Sequence, residues 1–231
     1  MTVLYRDAHL LVVHKPAGLL AQADHTGDPD VLTRSKRDLI DDPDPFLGLV
    51  HRLDRPTSGL MVLARTSEAA RHLSRQFRER TPEKQYLAWV NGACRGVGTW
   101  TDYIAKPDRQ PMIVGPEHPD GKRAVLDWQA LHRAGGRTLL LCTLRTGRPH
   151  QIRLQAAERD VPVVGDTRYG GPPIDTAGAI LLHHAVLRVE HPAEARRCTF
   201  IAPPPGPWAS LPAPAREAAA RMLERARPPA A

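Results

Sequence analysis

Cysteine, lysine, aromatic residues and long apolar runs are all scarce in this chain. Cys94, Cys142 and Cys198 stand far apart in 231 residues, none with a second cysteine two to four positions away. That spacing excludes zinc knuckles and CxxC redox pairs, and it suits small buried thiols in a reduced chain. Apolar stretches such as Leu60 to Ala64 fall far short of the roughly 18 residues of a membrane helix. The N-terminus runs through Tyr5, Arg6 and Asp7 into a strand-like segment, without the apolar middle and small-residue cleavage site of a secretory leader. A cytoplasmic protein with no membrane partner is the expectation. No fixed-period repeat is visible, which removes solenoids and propellers.

What is present is a core. With 42% hydrophobic and 25% charged residues, the chain can bury one large core or two small ones. The net charge is +7, and only five of the 32 basic residues are lysine. Arginine forks phosphate oxygens and stacks on bases where lysine offers a point charge. A G- and C-rich genome would enrich arginine equally, so composition alone leaves polyanion binding open.

Short β-rich runs recur at Leu10 to His14, Leu60 to Leu63, Tyr86 to Asn91, Val125 to Leu131 and Thr138 to Leu144. Few helical patterns lie between them, which predicts an α+β fold with a mixed, largely antiparallel central sheet and flanking helices. The clearest helix spans Ser67 to Arg80, with a Thr66 or Ser67 cap, Glu68 in the first turn, and Ala69, Leu73 and Phe77 forming one apolar stripe. Residues 19–30 and 107–121 read as loops. Six prolines in 203–214 read as an extended semi-rigid arm, and Ala213 to Arg227 as a frayed helix dispensable to the fold. No linker parts residues 1–200, so the expected organisation is a catalytic domain over 1–208 and an Ala/Arg/Pro-rich extension over 209–231.

Four segments can carry chemistry. In Val50-His51-Arg52-Leu53-Asp54-Arg55-Pro56-Thr57-Ser58-Gly59, polar residues crowd before an apolar strand, and Pro and Gly stiffen the turn, as in loops that present reactive groups at a sheet edge. A guanidinium reaching Asp54 would favour its ionised form; a plain surface ion pair is the other reading. In Thr146-Gly147-Arg148-Pro149-His150-Gln151-Ile152-Arg153, a helix starting near Pro149 would put His150, Arg153, Leu154 and Ala157 on one face, while a strand is also compatible with the alternation. Glu83 to Gly92 presents Tyr86, Ala88 and Val90 on one strand face. Val164 to Gly171 reads only as an ordered, glycine-bounded turn. His183 and His184, adjacent on a strand, would face opposite sides, so no shared metal site is expected.

Together, HRLDRPTSG at 51–59, KQYLAWVNG at 84–92, TGRPHQIRLQ at 146–155 and GDTRYG at 165–170 resemble the RluA-like family of RNA pseudouridine synthases. HKPAGLLAQ at 14–22 and LHHAVLRVEHP at 182–192 are lesser echoes, and the resemblance covers about residues 3–208. It implies the pseudouridine synthase fold and an isomerase that converts a uridine to pseudouridine in structured tRNA or rRNA. By that resemblance Asp54 is the nucleophile, Arg153 pairs with it, and Tyr86 stacks on the target uracil. Arg52 fills the space of the flipped base, and His51, Arg55, Arg148 and His150 join it in RNA binding and base flipping. Ile152 and Leu154 line or support the pocket. Neither cofactor nor metal is implied, and a monomer suffices. Many relatives carry an S4-type domain ahead of the catalytic strands, for which residues before Val3 leave no room. Position 155 is Gln where many members have His. The alternatives are a catalytically silent RNA-binding or RNA-folding protein on the same scaffold, and a glycosidase-like hydrolase, which would need a second placed carboxylate.

Overall fold

Alternating apolar residues build most of the molecule. The structure, a computed structural model, describes residues 1–39 and 46–228. Strands β1 (Thr2–Arg6) and β2 (Leu10–Lys15) form a hairpin whose turn is held by Asp7, with Oδ1 accepting the His9 and Leu10 N–H groups at 2.7 Å each. Helix α1 (Val31–Leu39), β3 (Gly48–Leu49), β4 (Ser58–Ala64) and helix α2 (Ser67–Glu79) follow. Next come β5 (Glu83–Asn91), β6 (Val97–Ala105), β7 (Met112–Val114), β8 (Lys122–Ala134) and β9 (Arg137–Leu144). Helix α3 (Gln151–Ala157), β10 (Leu182–Glu190), β11 (Arg197–Ile201) and helix α4 (Ala213–Ala226) complete the chain. The strands make one 11-stranded sheet in the order β1-β2-β4-β10-β5-β9-β8-β6-β7, with β11 on β10 and β3 on β4. Only the β4–β10 pairing is parallel among these ladders. The fold is therefore the α+β mixed sheet that the sequence predicts.

Helix α2 starts where Thr66 Oγ1 accepts the Ala69 N–H at 3.1 Å, the expected cap. It buries Ala69 and Leu73 and ends at Arg80, whose backbone is left-handed (φ 63°, ψ 29°). A non-glycine residue there costs about 1–2 kcal/mol.

The pleat of β5 sorts the molecule into two sides. Tyr86, Ala88 and Val90 enter one core with Leu53, Ile152 and Leu182, while Leu87 and Trp89 enter another with Leu139, Trp208 and α4. Two expectations change on this second side. The proline-rich 203–214 segment is not an extended arm: a short 3-10 turn at Gly206–Ser210 seats Trp208 against the sheet. Nor is α4 frayed, for Ala215, Ala218, Ala219, Met222, Leu223 and Ala226 are buried along one face. Small alanines let the helix approach the sheet closely, and its arginines stay outside. The last three residues of the expected extension lie outside the described residues. No helix among those described is long and apolar enough to cross a membrane, and all three cysteines are free and buried.

Candidate active site

Asp54 sits just before β4, where its carbonyl accepts the Thr57 N–H at 3.0 Å and closes a tight turn. Gly59 then lets β4 run against β10. Its φ is +125°, and a Cβ there would lie 2.4–2.8 Å from the His184 backbone, so only glycine permits the approach.

A side chain not foreseen as functional straps this turn. Lys15, at the end of β2, is fully buried. Its ammonium donates to the carbonyls of Leu19 (2.7 Å), Arg55 (3.0 Å) and Pro16 (3.1 Å). Burial pulls its pKa down to about 7, against the opposing pull of the Asp54 charge. The only trace in the sequence was the HKPAG echo, since three carbonyl acceptors from different loops leave no pattern.

Helix α3 brings in the opposite wall. His150 is its N-cap, in left-handed backbone (φ 54°), so the helix begins one residue later than His150 and the strand alternative is excluded. Arg153, 4% exposed, donates from Nη1 to Asp54 Oδ2 at 3.1 Å. It also forks Asp166, with Nε to Oδ2 at 2.6 Å and Nη2 to Oδ1 at 2.9 Å. Burial opposes the Arg153 charge, but Asp166 and then Asp54 outweigh it and hold its pKa above the ordinary value. One planar cation thus locks two carboxylates, the stronger fork going to the buried one. Asp166 lies in the GDTRYG turn, which alone signalled nothing beyond order; an Asp between glycine and threonine resembles any turn until Arg153 is found above it. The ring of Tyr169 stands 4.9 Å from the Arg153 guanidinium carbon.

His150 Nε2 lies 3.9 Å from Asp54 Oδ1, and its Nδ1 is 2.7 Å from the Tyr169 hydroxyl. Burial, with Arg153 and Arg168, lowers its pKa against the pull of Asp54 and Asp166. Tyr86 faces the same cleft from β5, its ring stacked on His184 at 4.5 Å and 13°. His184 is fixed in turn by Nδ1 donating to Leu60 O at 2.8 Å. Burial first, then the Asp54 charge, keeps the Tyr86 phenol protonated well above its usual range.

Asp54, Tyr86, His150 and Arg153 floor a cleft of about 930 Å³ lined also by Arg52, Arg78, Arg80, Lys84, Arg148 and Ile152. Arg52 stands exposed at the mouth. Arg148 donates Nε to Arg123 O at 3.1 Å. Of the remaining expected binding and pocket residues, one borders the cleft and two are placed away from it. His51 borders the cleft but is spent internally, accepting the Val62 N–H at 3.0 Å and stacking on Phe77; burial lowers its pKa to about 3. Arg55 turns away, to Gly18 O and to Asp28 at 2.8 Å. Leu154 packs with Ile104 and Ala124 instead of lining the cleft.

Gln155, fully buried, joins α3 to the sheet. Its Nε2 donates to Asp102 at 2.6 Å, and its Oε1 accepts from Gln151 at 3.1 Å. The Gln151 side-chain Oε1 in turn accepts from Thr146 Oγ1 and the Arg148 N–H. That chain of bonds orders the loop carrying Arg148 and His150. His183 has both ring nitrogens engaged, with Ser58 Oγ at 2.8 Å and Ala202 O at 3.0 Å.

A family model described as RNA pseudouridylate synthase matches residues 9–158. The chain is 39% identical over 98% of its length to the ribosomal large subunit pseudouridine synthase D of Xanthomonas campestris pv. campestris, of which it covers 73%. It is 37% identical over 88% of its length to the dual-specificity RNA pseudouridine synthase RluA of Escherichia coli K12, of which it covers 93%. The solved structure of human RNA pseudouridylate synthase domain containing 1 matches with a TM-score of 0.72 at 25% identity, over 88% of this chain and 83% of that one. Human RNA pseudouridylate synthase domain containing 4 shares the fold at a TM-score of 0.70 and 22% identity, over 96% and 92%.

Proposed function

The chain belongs to the RNA pseudouridylate synthase family, and on that premise we propose that it flips a uridine out of structured tRNA or rRNA and isomerises it with Asp54 as nucleophile. The single observation that carries the reading is the Asp54–Arg153–Asp166 relay at the floor of the cleft. It keeps one carboxylate aimed and partly sheltered, with 26% of the Asp54 side chain still exposed.

Asp54 either attacks the C1′ carbon or removes the proton from C2′, and in both routes the N1–C1′ bond breaks with its electron pair leaving on the uracil. The ring turns on Tyr86 and C5 bonds to C1′; in the first route this displaces the Asp54 carboxylate from C1′, in the second Asp54 returns the proton to C2′. C5 then loses its proton and N1 gains one. Atoms are conserved, so the reaction consumes nothing. Tyr86, held protonated by its surroundings, serves as stacking platform and hydroxyl donor rather than as a phenolate base. Arg52, exposed at the mouth, is placed to occupy the stack the base leaves. The groups named all fall within residues 1–208.

The test is pseudouridine mapping on total RNA from a strain lacking the gene, incubated with wild type or Asp54→Asn. Wild type should convert discrete uridines and Asp54→Asn none. Equal activity of the two removes the nucleophile assignment. RNA folding that persists unchanged in an inactive wild type would favour the silent RNA-binding alternative.

A further inference from the structure

Strand β5 carries Lys84 two residues before Tyr86, so both side chains leave on the cleft face about 7 Å apart. Lys84 is 7% exposed, yet its ammonium has no hydrogen-bond or ion-pair partner among the described residues. The adjacent carboxylate, Glu83, points to the other face and pairs with Arg188 at 2.5 Å. What faces Lys84 is more positive charge. Burial and then the Arg80 guanidinium lower the Lys84 pKa, and burial and Arg80 act in the same direction on Arg148. The neighbouring rings of His51 and His184 are both neutral, their pKa values lowered by burial to about 3. Asp54 is already held by Arg153. Arg80 also occupies a helix-ending position where glycine would be easier, with its left-handed backbone turning the side chain to the cleft. An arrangement that gathers three like charges and leaves the most buried one unpaired is costly until an anion arrives.

We propose that Lys84, Arg80 and Arg148 form a phosphate-binding site that grips the RNA phosphodiester next to the uridine stacked on Tyr86. One strand then sets both the ring platform and the cation, so the spacing of base and backbone is measured by β5 itself. The inference rests on the reading that a uridine of RNA enters this cleft. It goes further in naming the residues that hold its backbone.

Fluorescently labelled bulk tRNA is the probe, and its affinity is followed between roughly 50 and 200 mM salt. Lys84→Met should lower the slope of log affinity against log salt by about one, the loss of a single phosphate contact. Lys84→Arg should restore it, and Arg80→Ala should lower it as well. Arg225→Ala, on the exposed side of α4 behind the sheet, should leave it unchanged. Wild-type slopes in both Lys84→Met and Arg80→Ala, at unaltered melting temperature, overturn the site. If Lys84→Met does not fold, the exposed Arg80→Ala decides alone. Pseudouridine formation is scored separately on the same RNA. Activity with unchanged slopes removes the phosphate site only, whereas altered slopes without any pseudouridine uphold the site and remove the reaction.

Discussion

At the scale of single residues, the site works by holding charges in place. Arg153 bonds two carboxylates through three of its nitrogens, a geometry that a lysine ammonium cannot copy. Arg153→Lys is therefore expected to lower turnover about 100-fold, the order expected for a misplaced reacting group, while RNA affinity changes little. Single-turnover rates and binding curves on the same RNA check the split, and a pure binding defect would contradict it. Lys15 makes a pH prediction. Its folded-state pKa of about 7 lies below the ordinary 10.5. Below pH 7 both folded and unfolded chains carry the proton, so burying the charge costs its full amount. Between about 7 and 10.5 only the unfolded chain holds the proton, so the Lys15 contribution to stability rises with pH. Paired urea melts should show wild type gaining on Lys15→Met from pH 7 to 10. A gap that stays constant would mean the lysine is unperturbed.

At the scale of elements, α2 and α3 show how local rules were met and where they were set aside. The Thr66 cap, Glu68 and the Ala69–Leu73 stripe of α2 could be read in advance because capping and periodicity act within a turn or two. Its end also falls within a residue of the Ser67 to Arg80 reading, although Arg80 breaks the preference for glycine in left-handed backbone. Arg80→Gly is expected to stabilise the protein by about 1 kcal/mol, a rise of roughly 2–4 °C in melting temperature for a chain of this size. It should weaken RNA binding at the same time. Calorimetry showing no rise would argue that the backbone there is unstrained. In α3 the motif TGRPHQIR was visible as a unit, but its helix start was not. His150 departs from helical backbone so that its ring can reach Tyr169 and Asp54. Leu154, one residue after Arg153, faces the core behind the cleft, because a helix of two turns can present only one side to the site.

At the scale of the molecule, the sheet separates function from support. The cleft opens on the side of Tyr86, while α4 covers the opposite side, so the arginines of α4 are kept away from the reacting groups. Deleting residues after Ser210 strips Leu211, Met222, Leu223 and four alanines from the second core. At about 1.5–3 kcal/mol for each large side chain, a loss of several kcal/mol is expected. Urea unfolding of the truncated chain measures it, and wild-type stability would return α4 to the status of an appendage. The sequence by itself determined strands β2, β4, β5, β8 and β9, the α2 helix and the family, because periodicity, caps and the ordered motifs are local properties of neighbouring residues; β7, inside the 107–121 segment read as a loop, was not among them. Only the tertiary structure decided that Asp166 shares Arg153 with Asp54, that Lys15 straps the Asp54 turn, and that Arg55 pairs with Asp28 away from the cleft. Those facts depend on which side chains meet across separations of up to 99 positions of chain, and such meetings are set by sheet order and packing.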